Sequence, residues 1–86
     1  MEISYKVTFI KEFNKLENGL KEEILEKIEL FKDRKNHDLL KVHKLHGQLK
    51  DRYSFYVNYK IRVVFIFEDK EKAILLTIGS HDIYKG

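Results

Sequence analysis

The chain has 86 residues, of which 36% are charged, and a formal net charge of +3. This length predicts a single domain over residues 1–86, since a second hydrophobic core would not fit. The absence of cysteine excludes disulfide bonds and thiolate metal sites. No segment approaches the roughly 20 apolar residues of a membrane helix. Residues 1–10 also lack the apolar stretch of a signal peptide, so we expect a soluble, cytoplasmic protein with no membrane partner.

The first third of the chain predicts one strand followed by two helices. Apolar and polar residues alternate over residues 3–9, which indicates a half-buried strand. Apolar residues at helical spacing then predict a short helix that ends at Asn18-Gly19, a pair suited to a turn. A second helix is predicted from residue 20 to about Arg34, with its glutamates facing outward. The two helices together form a helical hairpin.

The rest of the chain predicts a surface loop and three strands. Residues 37–52 show no clean period and are expected to form a loop, with a short extended piece at Leu45. The strands are predicted over residues 53–58, 61–67 and 73–78, with a charged hairpin tip at 68–72. The element order is therefore β-α-α-β-β-β, with the helices on one side of a mainly antiparallel sheet. This arrangement is an α+β fold.

Positive charge is concentrated in the middle of the chain. Residues 11–33 contain five lysines against seven acidic residues, whereas residues 34–62 contain eight lysines and arginines against two aspartates. His37, His43 and His46 lie in the second stretch. A concentrated basic face favours a polyanion such as RNA or DNA. A solvated surface with an accidental bias would have the same composition.

Side chains that could perform acid–base chemistry or bind phosphate occur in three places. The loop contributes most of them, one arginine interrupts an apolar strand, and two more residues follow the last strand. They are His43, Lys44, His46, Lys50 and Arg52 in the loop, Arg62 in the 61–67 strand, and His81 and Tyr84 in the tail. A tail at the end of a sheet can lie beside a loop that enters the same sheet. All three groups could therefore line one concave surface.

These residue types suit the cleavage of an RNA strand. A base must take the proton of a 2′-hydroxyl, an acid must protonate the departing 5′-oxygen, and cations must neutralise the phosphate between them. Imidazole, with an ordinary pKa of about 6.5, populates both protonation states near neutrality. The planar guanidinium of arginine meets two phosphate oxygens at once, and tyrosine can stack on a base. Composition does not show whether the groups converge.

Each candidate also has a structural interpretation. Surface histidines are commonly only solvated, Arg62 could pair with a carboxylate on a neighbouring strand, and Tyr84 could cap the core. A metal site at His43 and His46 would need two further ligands, and we predict no metal and no cofactor. The Ser-His-Asp sequence at residues 80–82 is not expected to form a hydrolase triad. Consecutive side chains of an extended segment point to opposite faces, so they seldom form the required hydrogen-bonded line.

Three runs of the chain resemble the RelE/ParE toxin superfamily, in the pattern of its YafQ-like and RelE-like branches. The order and spacing of the runs carry the resemblance, which covers nearly the whole chain together with the predicted element order. The runs are Val42-His43-Lys44-Leu45-His46-Gly47-Gln48-Leu49-Lys50, then Tyr53-Ser54-Phe55-Tyr56-Val57-Asn58-Tyr59-Lys60-Ile61-Arg62-Val63-Val64-Phe65, and finally Leu76-Thr77-Ile78-Gly79-Ser80-His81-Asp82-Ile83-Tyr84.

The resemblance implies a function and a set of partners. The nuclease branches of the family bind the ribosomal decoding site and cut messenger RNA there without a metal. The chain would therefore be the toxin of a type II toxin–antitoxin system and an endoribonuclease (mRNA interferase) that acts by metal-independent 2′-hydroxyl attack. Its expected partners are a cognate antitoxin, the ribosome and messenger RNA. The toxin alone is expected to be a monomer, and its antitoxin complex a larger assembly.

The resemblance also implies roles for particular residues. Carried over by position, His81 matches the general acid of the YafQ-like branch, and His43 matches a histidine that is a candidate base or phosphate ligand. Arg62 matches the arginine that steadies the phosphate, and Tyr84 resembles the carboxyl-terminal tyrosine of the RelE-like branch. Lys50 and Arg52 would grip ribosomal or messenger RNA, and Lys44 and Lys60 are further expected RNA contacts. His46 matches no role in the family pattern; it is interpreted as a residue that supports the turn and could also contact RNA.

Two departures from the YafQ-like pattern leave the general base open. This chain has Lys60 where that pattern has an acidic residue, and Tyr56 where it has a histidine. A non-catalytic RNA-binding or interaction module on the same fold is therefore one alternative function. The other is a ParE-like inhibitor of DNA gyrase, although a protein-binding inhibitor has no need of the imidazole at His81.

Overall fold

The protein is a helical hairpin packed on a five-stranded sheet, which confirms the predicted α+β class. The computed structural model describes residues 1–47 and 51–80. Three of the predicted site residues, Lys50, His81 and Tyr84, lie outside the described residues. The elements are β1 (Glu2–Tyr5), α1 (Val7–Asn14), α2 (Asn18–Phe31), a 3₁₀ turn (Arg34–Asn36), β2 (His43–Lys44), β3 (Tyr53–Tyr56), β4 (Ile61–Asp69) and β5 (Lys72–Ser80).

The five strands form one mixed sheet in the order β1-β5-β4-β3-β2. β1 runs parallel to β5, and the other three pairings are antiparallel. The two nine-residue strands β4 and β5 lie inside the sheet, whereas β2 contributes only two residues at one edge. Strand β3 therefore lies between the short edge strand β2 and the inner strand β4, and it pairs with both.

The core lies between the helices and one face of the sheet. The Phe31 ring of α2 is 4.6 Å from the ring of Phe55 and 4.7 Å from that of Phe65, and all three side chains are fully buried. Burying each such ring stabilises the fold by about 1.5–3 kcal/mol. Because side chains alternate along a strand, Ser54 and Val64 point to the opposite face of the sheet.

The first strand is shorter than predicted, because residues 7–9 belong to α1. Val7 is 64% exposed, whereas Phe9 is buried in the core. The alternation over residues 3–9 overlaps a second pattern, since Tyr5, Phe9 and Phe13 recur every four residues. The Tyr5 and Phe9 rings are tilted against each other with centres 5.5 Å apart, and the Phe9 and Phe13 rings are stacked at 6.2 Å. The helical pattern prevails because it buries Phe9 against the sheet.

The turn between the helices also differs from the prediction. Asn18 and Gly19 are the first two residues of α2, and the connection consists of residues 15–17. The first amide groups of a helix have no partner within it, so a glycine costs less in the first turn than in the interior. The second helix ends at Phe31 rather than near Arg34, which begins the 3₁₀ turn.

The loop predicted over residues 37–52 contains an additional strand. The expected extended piece at Leu45 is preceded by β2, and the Leu45 amide donates to the Arg52 carbonyl at 2.8 Å. Two residues are too few for a periodic pattern to reveal a strand.

Within residues 1–47 and 51–80, no helix combines the length and apolarity needed to cross a membrane.

Candidate active site

Arg62 occupies a buried position near the start of β4, on the face of the sheet away from the helices. It pairs with Tyr56 on β3 and with Gly79 on β5. Its side chain is only 7% exposed, which is unusual for a charge. One guanidinium nitrogen, Nη1, donates to the Asn58 carbonyl at 2.9 Å and to the Ile61 carbonyl at 3.4 Å. Backbone carbonyls therefore hold one end of the guanidinium in place.

The partner of Arg62 on the neighbouring strand is an aromatic ring. The Arg62 guanidinium carbon lies 3.5 Å from the centre of the Tyr56 ring, in a close cation–π contact. Among the described residues, no carboxylate forms a salt bridge with Arg62. The arrangement thus presents a buried positive charge, stacked on a ring and tied at one nitrogen, which suits an anion such as phosphate.

His43 reaches the same ring from the other side of β3. It pairs with Ser54, it is exposed, and its ring centre is 6.4 Å from that of Tyr56 in an edge-on arrangement. Its Nδ1 lies 2.8 Å from the Lys41 carbonyl oxygen. A carbonyl can only accept, so this contact favours the tautomer with the proton on Nδ1. The lone pair of the neutral ring is then on Nε2, where it can accept a proton.

Lys41 is a third cation beside Tyr56. Its ammonium nitrogen is 5.2 Å from the centre of the Tyr56 ring. Its backbone has a φ of +54°, in the left-handed region, and no other non-glycine residue in the described part of the chain has a positive φ. Neither Lys41 nor Tyr56 is among the site residues predicted from the sequence. An arginine buried in an apolar strand was a signal for Tyr56, since such a charge needs a partner.

The structure separates several other predicted residues from this group. Lys44 pairs with Tyr53, so its side chain is on the face opposite that of His43. His46 is exposed in the segment after β2. Arg52 is exposed and directly precedes β3, at the end of that strand away from Tyr56, and its carbonyl accepts from the Leu45 amide.

Lys60 lies in the β3–β4 turn rather than beside Tyr56. Its ammonium is 5.7 Å from the centre of the Tyr59 ring. Both residues line a groove of about 710 Å³ against α2, where Glu17, Glu22, Glu23 and Glu26 form the other wall. The neighbouring acidic groups make this turn less favourable for RNA than the surface around Tyr56.

The tail residues remain sequence predictions. His81 and Tyr84 lie outside the described residues, as does Lys50 of the loop. Gly79, the β5 partner of Arg62, precedes His81 by two positions in the sequence. Among residues 1–47 and 51–80, no three His, Asp or Glu side chains form a group that could hold a metal ion.

The fold of this chain matches those of several proteins of known structure. The structure of YafQ from E. coli strain BL21(DE3) matches with a TM-score of 0.70 at 15% identity, over 99% of this chain and 98% of that one. The RelBE2 toxin–antitoxin complex from Mycobacterium tuberculosis matches with a TM-score of 0.73 at 16% identity, over 93% of this chain and 96% of that one. The chain has the fold of the RelE/ParE toxins.

A third match has a higher sequence identity. The solution structure of HP0894 from Helicobacter pylori is 22% identical and has a TM-score of 0.70, over 95% of this chain and 96% of that one. No protein-family model and no curated protein matches the chain by sequence. At these identities the likeness concerns the fold, and the residues around Tyr56 must support any function on their own.

Proposed function

We propose that the chain is the toxin of a toxin–antitoxin pair and that it cuts messenger RNA on the ribosome. The observation that carries the proposal is the grouping of an exposed imidazole and a buried guanidinium around one ring, Tyr56. Cleavage of a phosphodiester needs a proton acceptor and a fixed cation that can reach the same phosphate group. Matching folds among toxins, including YafQ and RelBE2, support the same function.

In the proposed reaction, Nε2 of His43 takes the proton from the 2′-hydroxyl. The 2′-oxygen then attacks the adjacent phosphorus, and the bond from phosphorus to the 5′-oxygen breaks. The products are a 2′,3′-cyclic phosphate and a 5′-hydroxyl, once an acid has protonated the departing oxygen. Arg62 stabilises the charge that develops on the phosphate oxygens, because its guanidinium is already held in place before RNA binds.

The remaining roles follow the resemblance. His81 is proposed as the general acid, and Tyr84 as a further contact to the RNA. Among the residues proposed to grip RNA outside the reacting phosphate, the described ones are Lys44, His46, Arg52 and Lys60. Since Lys60 lines the acidic groove on α2, we expect it to contribute least of these four.

The proposed antitoxin partner would cover the basic residues around Tyr56. RelBE2 of M. tuberculosis is a toxin–antitoxin complex, and an antitoxin of acidic composition would complement Lys41, His43 and Arg62 in charge. Binding of such a segment would block access to the phosphate position. A gene for a small acidic protein beside this one is therefore expected.

Primer extension on a defined messenger in a cell-free translation reaction tests the proposal. The wild type should produce new 5′ ends inside codons only when ribosomes are present. His43→Gln and His81→Ala should each reduce their formation by about a hundredfold, the scale of general acid–base catalysis. Lys70→Gln, in the distant β4–β5 turn, is the matched surface control and should cleave like the wild type.

Other outcomes would redirect the proposal. An intact messenger at protein doses that stop growth would show that the chain is not an interferase, and gyrase would be the next target to assay. Cleavage of free messenger at the same rate as ribosome-bound messenger would overturn the ribosomal part alone. Full activity of His43→Gln would remove the general base from this site.

A further inference from the structure

Lys41 adopts a backbone conformation that its residue type disfavours. Its φ of +54° lies in the left-handed region, where the side chain of a non-glycine residue crowds the backbone. Glycine or asparagine is usual at such positions. Backbone strain that a structure retains is frequently found at functional sites, which raises the question of what this conformation positions.

The conformation brings two groups of Lys41 to the candidate site. The backbone departs from the ladder here, since the Tyr56 amide donates to the Leu40 carbonyl at 2.9 Å and regular pairing resumes at His43. The Lys41 carbonyl accepts from Nδ1 of His43 at 2.8 Å. The Lys41 ammonium is 5.2 Å from the centre of the Tyr56 ring, which also stacks on Arg62. Lys41 thus contacts both His43, the proposed base, and Tyr56, the ring that stacks on the proposed phosphate-binding Arg62.

We infer that Lys41 is a phosphate-binding residue of this site, and that its left-handed backbone also sets the tautomer of His43. Its ammonium is a second cation beside Tyr56, and lysine serves as a point charge for phosphate where arginine serves as a fork. The contact of an exposed lysine with one aromatic ring is weak enough for the ammonium to move to a phosphate oxygen. The inference deepens the proposed function, on which it rests for the choice of RNA as ligand.

Three substitutions separate the side chain from the backbone. Lys41→Gly keeps the carbonyl and accepts the positive φ without strain, but it removes the ammonium. Lys41→Gln removes the charge and keeps most of the side-chain length, whereas Lys41→Arg keeps the charge. Lys70→Gln, at the other end of β4, removes one positive charge far from Tyr56 and is the matched control.

The measurement is binding to a short single-stranded RNA whose 2′-hydroxyls are methylated, so that it cannot be cut. Affinity is followed by fluorescence anisotropy from low to moderate salt. The logarithm of the binding constant falls linearly with the logarithm of the salt concentration. For a single strand, each lost phosphate contact makes this negative slope shallower by about 0.7. The slope should become shallower by about this amount in Lys41→Gly and in Lys41→Gln. It should stay at the wild-type value in Lys41→Arg and in Lys70→Gln.

Two structural readouts accompany the binding data. Thermal unfolding of Lys41→Gly should stay within a few degrees of the wild type, since glycine relieves the backbone strain. The ¹⁵N spectrum of His43 should show the proton on Nδ1 in the wild type and in Lys41→Gly, because both retain the carbonyl. A merely structural lysine would change stability and leave the salt slope alone.

The possible results are decisive in both directions. A shallower slope in Lys41→Gly and Lys41→Gln with normal stability supports the inference. It does so even if primer extension shows no cleavage, so that the proposed nuclease activity is wrong. An unchanged slope in both variants overturns it, even if cleavage is confirmed. Failure of the wild type to bind the RNA at low salt also overturns it, because a site with these cations should then attract a polyanion. A His43 proton on Nε2 would overturn the part that concerns the tautomer.

Discussion

The pair of Arg62 and Tyr56 shows how a buried charge can be accommodated without a carboxylate partner. Removing an arginine from water is costly, and here the ring face and two backbone carbonyls offset part of that cost. A carboxylate partner would have neutralised the guanidinium. Stacking on a ring leaves its full positive charge, which is available to the phosphate in the proposed reaction.

Replacing Tyr56 tests whether the ring holds the guanidinium. Tyr56→Leu removes the cation–π contact, which is worth about 1–2 kcal/mol in a partly buried setting. We expect the Tm to fall by about 5–10 °C, since 1 kcal/mol corresponds to about 4–8 °C in a domain of this size. Tyr56→Phe keeps the ring and should stay within about 2 °C of the wild type by circular dichroism. Equal losses in both variants would instead assign the effect to the hydroxyl.

Arg62→Lys tests the geometry of the charge rather than its presence. Lysine keeps the charge but cannot stack flat on Tyr56 or present two nitrogens to a phosphate. Cleavage in the translation reaction should fall by about 10–100-fold, less than the roughly 100–1000-fold loss for complete removal of a fixed transition-state donor, because lysine keeps the charge. Folding should be retained, as checked by thermal unfolding. A lysine variant as active as the wild type would mean that only net charge matters here.

The buried hydroxyl of Ser54 leads to a separate prediction on stability. Ser54 is completely buried between His43 and Val64, and its Oγ has no hydrogen-bond partner among the described residues. A buried hydroxyl without a partner costs about 1–3 kcal/mol. Ser54→Ala should therefore leave the Tm unchanged or raise it by several degrees in calorimetry. A clear fall in Tm would reveal a partner for the hydroxyl.

The sequence indicated which types of residue lie on this surface better than which individual residues come together there. An arginine within an apolar strand, a nearby histidine and excess positive charge were all visible. Lys41 was not, because its significance depends on a positive φ and on a carbonyl that no periodic pattern encodes. The separation of Lys44 from His43 was also hidden, since their opposite directions follow from β2, a strand too short to predict.

At the scale of elements, one glutamate joins α1 to the edge of β5. β1 pairs with β5 only as far as Leu75, which leaves the later residues of β5 without a neighbouring strand on that side. The Glu12 carboxylate occupies this gap. It accepts from the Thr77 hydroxyl at 2.7 and 2.9 Å and from the Ile78 amide at 2.9 Å. The helix thereby satisfies an edge amide that would otherwise lack a partner.

Removing this carboxylate should destabilise the fold. Glu12→Ala leaves the Ile78 amide and the Thr77 hydroxyl without their acceptor, and hydrogen bonds to charged groups contribute about 1.5–3 kcal/mol. We expect the Tm to fall by about 10 °C or more. Glu12→Gln keeps an acceptor oxygen and should lose about half as much. Lys11→Ala, the exposed neighbour on α1, is the control, and an equal loss there would point to helix propensity instead.

The element boundaries show where sequence patterns are ambiguous. The strands β3, β4 and β5 followed from β-branched and aromatic runs, because burial on a pleated sheet selects those residue types. The junction of β1 and α1 did not, since residues 3–9 fit a period of two while Tyr5, Phe9 and Phe13 also fit a helix. Only packing against the sheet decides between these patterns. The Asn18-Gly19 pair was misplaced because the same residues suit a turn and a first helical turn.

Across the whole molecule, the strands expected to be most stable lie inside the sheet, whereas the part of the proposed site that contains Lys41 and His43 lies at its β2 edge. β4 and β5 pair along almost their full length and bury Phe65 and Leu75, so their amides should open only on global unfolding. β2 has two residues and one neighbouring strand. The segment that carries Lys41 and His43 is therefore expected to open at low energetic cost, which would allow it to adjust to the proposed phosphate ligand.

Hydrogen exchange measured by mass spectrometry tests this distribution and its link to function. In the free protein, peptides from β4 and β5 should exchange most slowly, and the peptide covering residues 41–47 should exchange among the fastest. Addition of the methylated RNA should slow exchange most strongly in residues 41–47, because binding at Lys41 and His43 couples to the opening of β2. The β4–β5 turn around Lys70 serves as the internal control and should not change. Protection that appears instead along the acidic groove of α2 would place the RNA elsewhere, and uniform protection would show that ligand binding stabilises the fold without ordering this edge.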